Sequence, residues 1–182
     1  MVYLLLENGF EEIEALSCVD ILRRSKVDIK IVSEYEYVKS NKKVSVKRDC
    51  SFEEIDFENT EMVIIPGGMP GADNLRNNKK VIEILNFAFK NNRFIGAICA
   101  APYILGQLGF LKGKKAVCYP GFEAELKGAF LSDEKVVKDE NIITAVGMGA
   151  SLEFALKLLE CLKGKEEADR VAGSIMMQKV TE

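Results

Sequence analysis

The chain has 182 residues, 48% of them apolar and 29% charged, which suits one folded domain with a real core and excludes disorder as its main state. Its 25 lysines and arginines against 28 acidic residues leave a net charge of −3, without the basic excess that marks a nucleic-acid binder. There is no histidine, so Ser-His-Asp and Cys-His catalysis and histidine-ligated zinc are excluded. Residues 2–6 form a short continuous apolar run ended by Asn8 and Gly9, the pattern of a buried strand. Over residues 11–24, Ile13, Leu16, Val19, Ile21 and Leu22 recur near helical spacing, with acids in the first turn and arginines in the last, which suits a helix dipole. Residues 29–33 predict a second strand, so the chain opens as a β-α-β unit and favours a parallel sheet. The lysine-rich stretch 35–47 reads as an exposed hairpin or charged sheet edge. Residues 62–65 predict a core strand running into Pro66-Gly67-Gly68, and residues 79–90 a helix with Val81, Ile84, Leu85 and Ala88 on one face. A strand over 94–98 and a helix over 101–108 follow, joined almost without a loop at Cys99. Val117 and Cys118 suggest a strand before Tyr119-Pro120-Gly121, and Val136-Val137 with residues 142–145 a late hairpin turning at 138–141. Helices over 151–162 and 165–174 close the pattern. With no linker or repeat, the expectation is one α/β domain over residues 1–182, a mostly parallel sheet with helices on both faces.

The cysteines Cys18, Cys50, Cys99, Cys118 and Cys161 are odd in number and scattered, which suggests neither a disulfide framework nor a zinc knuckle. Residues 1–6 lack the basic region and cleavage site of a signal peptide, and no run approaches the roughly 20 apolar residues of a membrane span. The expected compartment is a reducing cytoplasm, with no membrane or nucleic-acid partner.

In an open α/β sheet, ligands bind where the strands end, which gathers residues 7–14, Pro66-Gly67-Gly68, Cys99 and residues 147–151 on one rim. At Gly96-Ala97-Ile98-Cys99-Ala100-Ala101-Pro102 a strand runs into a helix through a thiol flanked by small residues, as a tight elbow requires. A thiol at a helix N-terminus is expected to have a lowered pKa, and the same N–H groups can bind an oxyanion. Cys99 also fits a small buried hydrophobe. Taken alone, Pro66-Gly67-Gly68 is a turn; beside an elbow cysteine, the Gly68 amide becomes a candidate oxyanion donor. Glu11 and Glu12 read as solvated helix-start acids, whereas Glu14 can lean toward Cys99, where a desolvated carboxyl would shuttle protons. Gly147-Met148-Gly149-Ala150-Ser151 lacks a full dinucleotide fingerprint and is a weak nucleotide signal.

Glu11-Glu12-Ile13-Glu14, Val63-Ile64-Ile65-Pro66-Gly67-Gly68, Ala97-Ile98-Cys99-Ala100-Ala101-Pro102 and Gly149-Ala150-Ser151-Leu152-Glu153-Phe154-Ala155-Leu156 together resemble the ThiJ/PfpI superfamily and, within it, the DJ-one branch. The resemblance implies a flavodoxin-like sandwich, usually homodimeric, with a nucleophile-elbow cysteine at Cys99. It further implies a protonated glutamate at Glu14 and backbone donors at Gly68 and Ala100. The family's activities are cofactor-independent, metal-free glyoxalase or deglycase chemistry on methylglyoxal and its adducts, oxidative-stress sensing through an oxidisable cysteine, and chaperoning. The ligand implied is a small carbonyl compound or a peroxide. Many DJ-one relatives carry a histidine where this chain has Tyr119, and the protease-like branch has one where this chain has Ala100. A glyoxalase built here therefore relies on Cys99 and Glu14, with the Tyr119 hydroxyl a candidate substrate contact. The implied dimer would use the first helix and the edge near Asp20, Arg24 and residues 44–46, although Arg24 also suits a helix-end role.

Overall fold

The computed structural model describes residues 1–177; residues 178–182 of the single domain expected from the sequence lie outside the described residues. Short apolar runs supply the strands β1 (Val2–Leu5), β2 (Ile29–Val32), β5 (Met62–Ile65), β6 (Phe94–Ile98) and β10 (Ile142–Ala145). They lie parallel in one six-stranded sheet of order β2-β1-β5-β6-β10-β9, closed at its edge by the antiparallel β9 (Val136–Asp139). β1 and β5 are buried at every position, as strands covered on both faces must be.

Side chains alternate between two cores. Tyr3, Leu5, Val63, Ile65, Ile95 and Ala97 face helices α2 (Gly71–Asn77), α3 (Lys79–Lys90) and α4 (Pro102–Gln107). Val2, Leu4, Met62, Ile64 and Ile143 face α1 (Glu12–Arg24), α5 (Ser151–Lys163) and α6 (Lys165–Ser174). At Gly96 the second layer packs directly on the sheet: a Cβ there would stand 2.8 Å from Leu158 Cδ2 and 3.0 Å from Phe154 Cζ. The expected α/β sandwich with helices on both faces is what the chain forms.

The stretch expected to be an exposed hairpin contains the antiparallel pair β3 (Tyr37–Lys39) and β4 (Ser45–Lys47). The strand expected at Val117 and Cys118 lies two residues earlier: β7 (Lys115–Ala116) pairs in parallel with β8 (Phe130–Leu131). The Val117 N–H instead donates to Thr144 Oγ1 at 3.0 Å, a side-chain bond that ends the ladder. The hairpin of β9 and β10 turns at Glu140 and Asn141, a tighter loop than expected, and α2 has no counterpart in the sequence reading.

Candidate active site

The strand order reverses at β1 and β5, and in such sheets the crevice beyond the carboxyl ends at this switch is the ligand-binding position. Three loops meet there. The first follows β1 and enters α1, where the Glu11 side chain caps the helix by accepting the Glu14 N–H at 2.7 Å. Glu11 is thus a cap rather than a merely solvated acid. The second follows β5, and the Glu11 N–H donates to Gly67 O at 3.0 Å, tying the two loops together. Gly68 has φ +87°, and a Cβ on it would lie 2.4 Å from Glu11 N, so only glycine fits.

The third loop is the elbow between β6 and α4. Cys99 has φ 65°, the left-handed region that a residue with a Cβ enters only at a cost of about 1–3 kcal/mol. The Cys99 N–H donates to Ala145 O at 2.9 Å, and the Tyr119 N–H donates to Cys99 O at 2.7 Å, so neighbouring segments hold the strained residue from both sides.

Glu14 is fully buried. Its Oε2 accepts the Gly67 N–H at 2.8 Å, and that oxygen and the Cys99 sulfur both border Gly67, 2.9 and 3.0 Å from where a Cβ on it would stand. Oε1 is buried with no hydrogen-bond partner, an arrangement that favours the neutral acid. Burial accordingly pushes the Glu14 pKa up to about 7, against the opposing pull of the Gly67 N–H and the thiol.

The Ala100 and Gly68 N–H groups pull the Cys99 pKa down. They do not prevail: burial and the adjoining Glu14 carboxylate push the thiol up to about 12. The lowered pKa expected from a helix N-terminus is corrected here. α4 has only six residues and begins at Pro102, beyond the elbow, so its dipole is short and displaced from the sulfur.

The structure therefore brings Cys99, Glu14, Gly68 and Ala100 to one point. Tyr119 stands at its rim, half exposed: a Cβ on Gly147 would lie 3.2 Å from Tyr119 Cδ2 and 3.8 Å from Cys99 Sγ. Gly67, placed on the rim by the sequence but given no role of its own, has a bare Cα that faces Cys99 Cβ, Cys99 Sγ and Glu14 Oε2, at 2.6, 3.0 and 2.9 Å from where its Cβ would be. Its signal was the double glycine after the strand. Gly147 lies on the rim where the sequence places residues 147–151, next to Cys99 and Tyr119 rather than in a nucleotide loop. Among the described residues no group of three or more Cys, Asp or Glu side chains is placed to hold a metal ion.

The model of the DJ-1/PfpI family matches residues 1–161. The chain belongs to that family. Among curated proteins of this family, the Drosophila melanogaster Protein dj-1beta is 34% identical over 177 residues, covering 95% of each chain. The Caenorhabditis elegans Glutathione-independent glyoxalase DJR-1.2 is 30% identical over 171 residues, covering 93% of this chain and 91% of its own. Among solved structures, oxidized Toxoplasma gondii DJ-1 superposes with a TM-score of 0.91 at 34% identity, over 96% of this chain and 97% of that one. The flavodoxin-like architecture is thus that of the DJ-1/PfpI family. No helix among the described residues is long and apolar enough to cross a membrane.

Proposed function

We propose that this chain is a cysteine-dependent, cofactor-free glyoxalase or deglycase acting on 2-oxoaldehydes such as methylglyoxal, or on their adducts. The observation that carries this reading is the meeting of Cys99 and Glu14 over Gly67, with the carboxyl titrating near about 7. The named glyoxalase among the relatives supports it.

Two adjacent anions are costly in a buried site, so above neutral pH the pair keeps one proton between oxygen and sulfur. With that proton on Glu14, the Cys99 thiolate attacks the aldehyde carbon. A C–S bond forms, and the carbonyl electron pair moves to oxygen, held by the Gly68 and Ala100 N–H groups. This oxygen takes the Glu14 proton, giving a hemithioacetal. The Glu14 carboxylate then removes the hydrogen on that carbon, acidified by the adjacent ketone, and returns it to the neighbouring carbon. The first oxygen's proton passes to the second oxygen, a transfer that the Tyr119 hydroxyl at the rim is placed to assist. Water cleaves the resulting thioester, breaking the C–S bond and releasing a 2-hydroxy acid. One aldehyde and one water give one acid, with no oxidant and no cofactor. Measuring lactate formed from methylglyoxal by wild type, Cys99→Ser and Glu14→Gln tests this; wild-type turnover no faster than either variant ends the reading.

A second reading, supported by the solved structure of oxidized Toxoplasma gondii DJ-1, is that Cys99 senses peroxide. The thiolate attacks one peroxide oxygen, forming an S–O bond and breaking the O–O bond; Cys99 becomes a sulfenic acid, and the other oxygen leaves as hydroxide that takes the Glu14 proton to become water. Cys18, Cys50 and Cys118 are buried, whereas Cys99 and Cys161 are partly accessible. Intact mass after peroxide treatment should show a stoichiometric gain confined to Cys99; oxidation scattered over the other thiols counts against it.

We also infer a cytoplasmic homodimer formed through α1 and the neighbouring hairpin, where Ile13 is 50% and Val44 43% exposed. Arg24 pairs with Asp20 at 2.7 Å within its own helix, which leaves the apolar side chains as the contact. Sedimentation of wild type against Ile13→Glu reads this out.

A further inference from the structure

The two candidate oxyanion donors come from different loops, and nothing in the local chain fixes their separation. One residue touches the supports of both. The Tyr103 N–H donates to Ala100 O at 3.0 Å, within the elbow itself. At the other end of the same side chain, the hydroxyl donates to Asp73 Oδ1 at 2.6 Å and approaches Ala72 O at 3.4 Å. Ala72 in turn donates its N–H to Gly68 O at 2.9 Å. A hydrogen-bonded chain thus runs from Ala100 through Tyr103 and the first turn of α2 to Gly68.

The ring makes a third connection. It packs against Phe122 with centroids 5.8 Å apart, and the Phe122 N–H donates to Tyr119 O at 3.2 Å. The contact between α4 and this segment is tight: a Cβ on Gly106 would stand 2.1 Å from Glu125 O. Gln107 Nε2 donates to Glu125 Oε2 at 2.9 Å, and Arg76 Nη1 on α2 donates to Gln107 Oε1 at 3.3 Å. Burial and the Asp73 carboxylate push the Tyr103 pKa up, so the hydroxyl keeps the proton it donates. Buried and hydrogen-bonded at both ends, Tyr103 sits where the loops bearing Gly68, Ala100 and Tyr119 are braced against one another.

We propose that Tyr103, held by Asp73, is a positioning residue that sets the spacing of the Gly68 and Ala100 N–H groups around Cys99. It touches neither the sulfur nor the substrate. Its hydroxyl acts through α2 on the Gly68 loop, and its ring acts through Phe122 on the Tyr119 loop. The proposal rests on the glyoxalase reading only for its kinetic readout. Its second readout is the thiol itself, because the same two N–H groups stabilise the negative charge on Cys99.

The test compares Tyr103→Phe, Asp73→Asn and Asp73→Ala with wild type, using methylglyoxal turnover and the pH profile of Cys99 alkylation by iodoacetamide. Tyr103→Phe keeps the ring against Phe122 and loses the hydroxyl's bond to Asp73 and its contact with Ala72 O. It should lower kcat about tenfold with KM within about twofold, the mark of an interaction used in the transition state. It should also move the alkylation profile up by about half a pH unit, as a weakened N–H donor requires. Asp73→Ala should do the same. Asp73→Asn still offers an oxygen to the hydroxyl and should stay within about threefold of wild type. A Tyr103→Phe protein that melts earlier but keeps wild-type kcat and an unmoved alkylation profile would show a merely structural bond and overturn the proposal. If wild type makes no lactate, the glyoxalase reading fails by itself, and the alkylation profiles still decide the role of Tyr103.

Discussion

Glu14 and Cys99 meet across the bare Cα of Gly67, the carboxyl oxygen and the sulfur lying 2.9 and 3.0 Å from the place a Cβ would take. Each residue perturbs the other: burial pushes the Glu14 carboxyl up to about 7, and its charge adds to the burial that pushes the thiol up to about 12. The pair therefore behaves as one titrating unit, whose first proton leaves near neutrality and whose second is held far longer.

That coupling is visible in the thiol's reactivity. The rate of Cys99 alkylation in wild type should rise in a step near pH 7, as the one-proton pair forms, and again at much higher pH. Glutamine cannot share a proton, so in Glu14→Gln the lower step should vanish. Rates followed by mass spectrometry from pH 5 to pH 11 would show it; a neutral step that survives in Glu14→Gln would remove the pair from the mechanism.

Stability should depend on pH with a definite sign. The Glu14 pKa rises from 4.5 in the unfolded chain to about 7 in the folded one, so between these values the folded chain holds the extra proton. The contribution is complete below about 4.5 and is lost as pH rises through about 7, a fall of about 3 kcal/mol. Burial also raises the pKa of Glu7, which adds a loss of the same sign. Urea denaturation across this range should show Glu14→Gln with a flatter profile than wild type and greater stability at pH 8.

Gly67→Ala should damage both stability and chemistry. Its Cβ would overlap Cys99 Cβ at 2.6 Å and crowd Glu14 Oε2 at 2.9 Å, so the thiol and the carboxyl must shift to admit it. Overpacking of this kind costs about 1–3 kcal/mol. Displacing thiol and carboxyl by even part of an ångström should lower kcat/KM by about a hundredfold, measured with methylglyoxal.

The strands were legible because continuous apolar runs such as Val63 to Ile65 have only one comfortable place, the middle of a sheet covered on both faces. Cys99 and Gly68 were legible because a strand running into small residues leaves few backbone options. What escaped depends on contacts distant in sequence. The turns of α2 begin at Gly71 and include Asn74 and Asn77, poor helix formers; Tyr103 to Asp73 and Asn74 Nδ2 to Asn8 O, at 2.8 Å, hold them in place. The end of β7 was misplaced because the Thr144 hydroxyl takes the Val117 N–H. The thiol's raised pKa was hidden for the same reason: helix position is local, whereas the burial and the Glu14 charge that outweigh it come from the fold.

Tyr119 offers the last test, since the chain has no histidine and this side chain stands half exposed at the rim of the site. Its ring borders Gly147, whose Cα faces both that ring and the Cys99 sulfur. Tyr119→Phe keeps the ring and removes only the hydroxyl, so a loss of about tenfold in kcat at constant KM would assign the hydroxyl to proton movement between the substrate oxygens. Gly147→Ala instead places a methyl 3.2 Å from Tyr119 Cδ2 and 3.8 Å from the sulfur. That narrows the entrance and should raise KM more than it lowers kcat; because Gly147 has φ +154°, where a side chain strains the backbone, the variant should also melt earlier than wild type. Tyr119→Phe indistinguishable from wild type, beside a Gly147→Ala protein with raised KM, would leave the tyrosine as a wall of the site and assign the proton transfer to Glu14 alone.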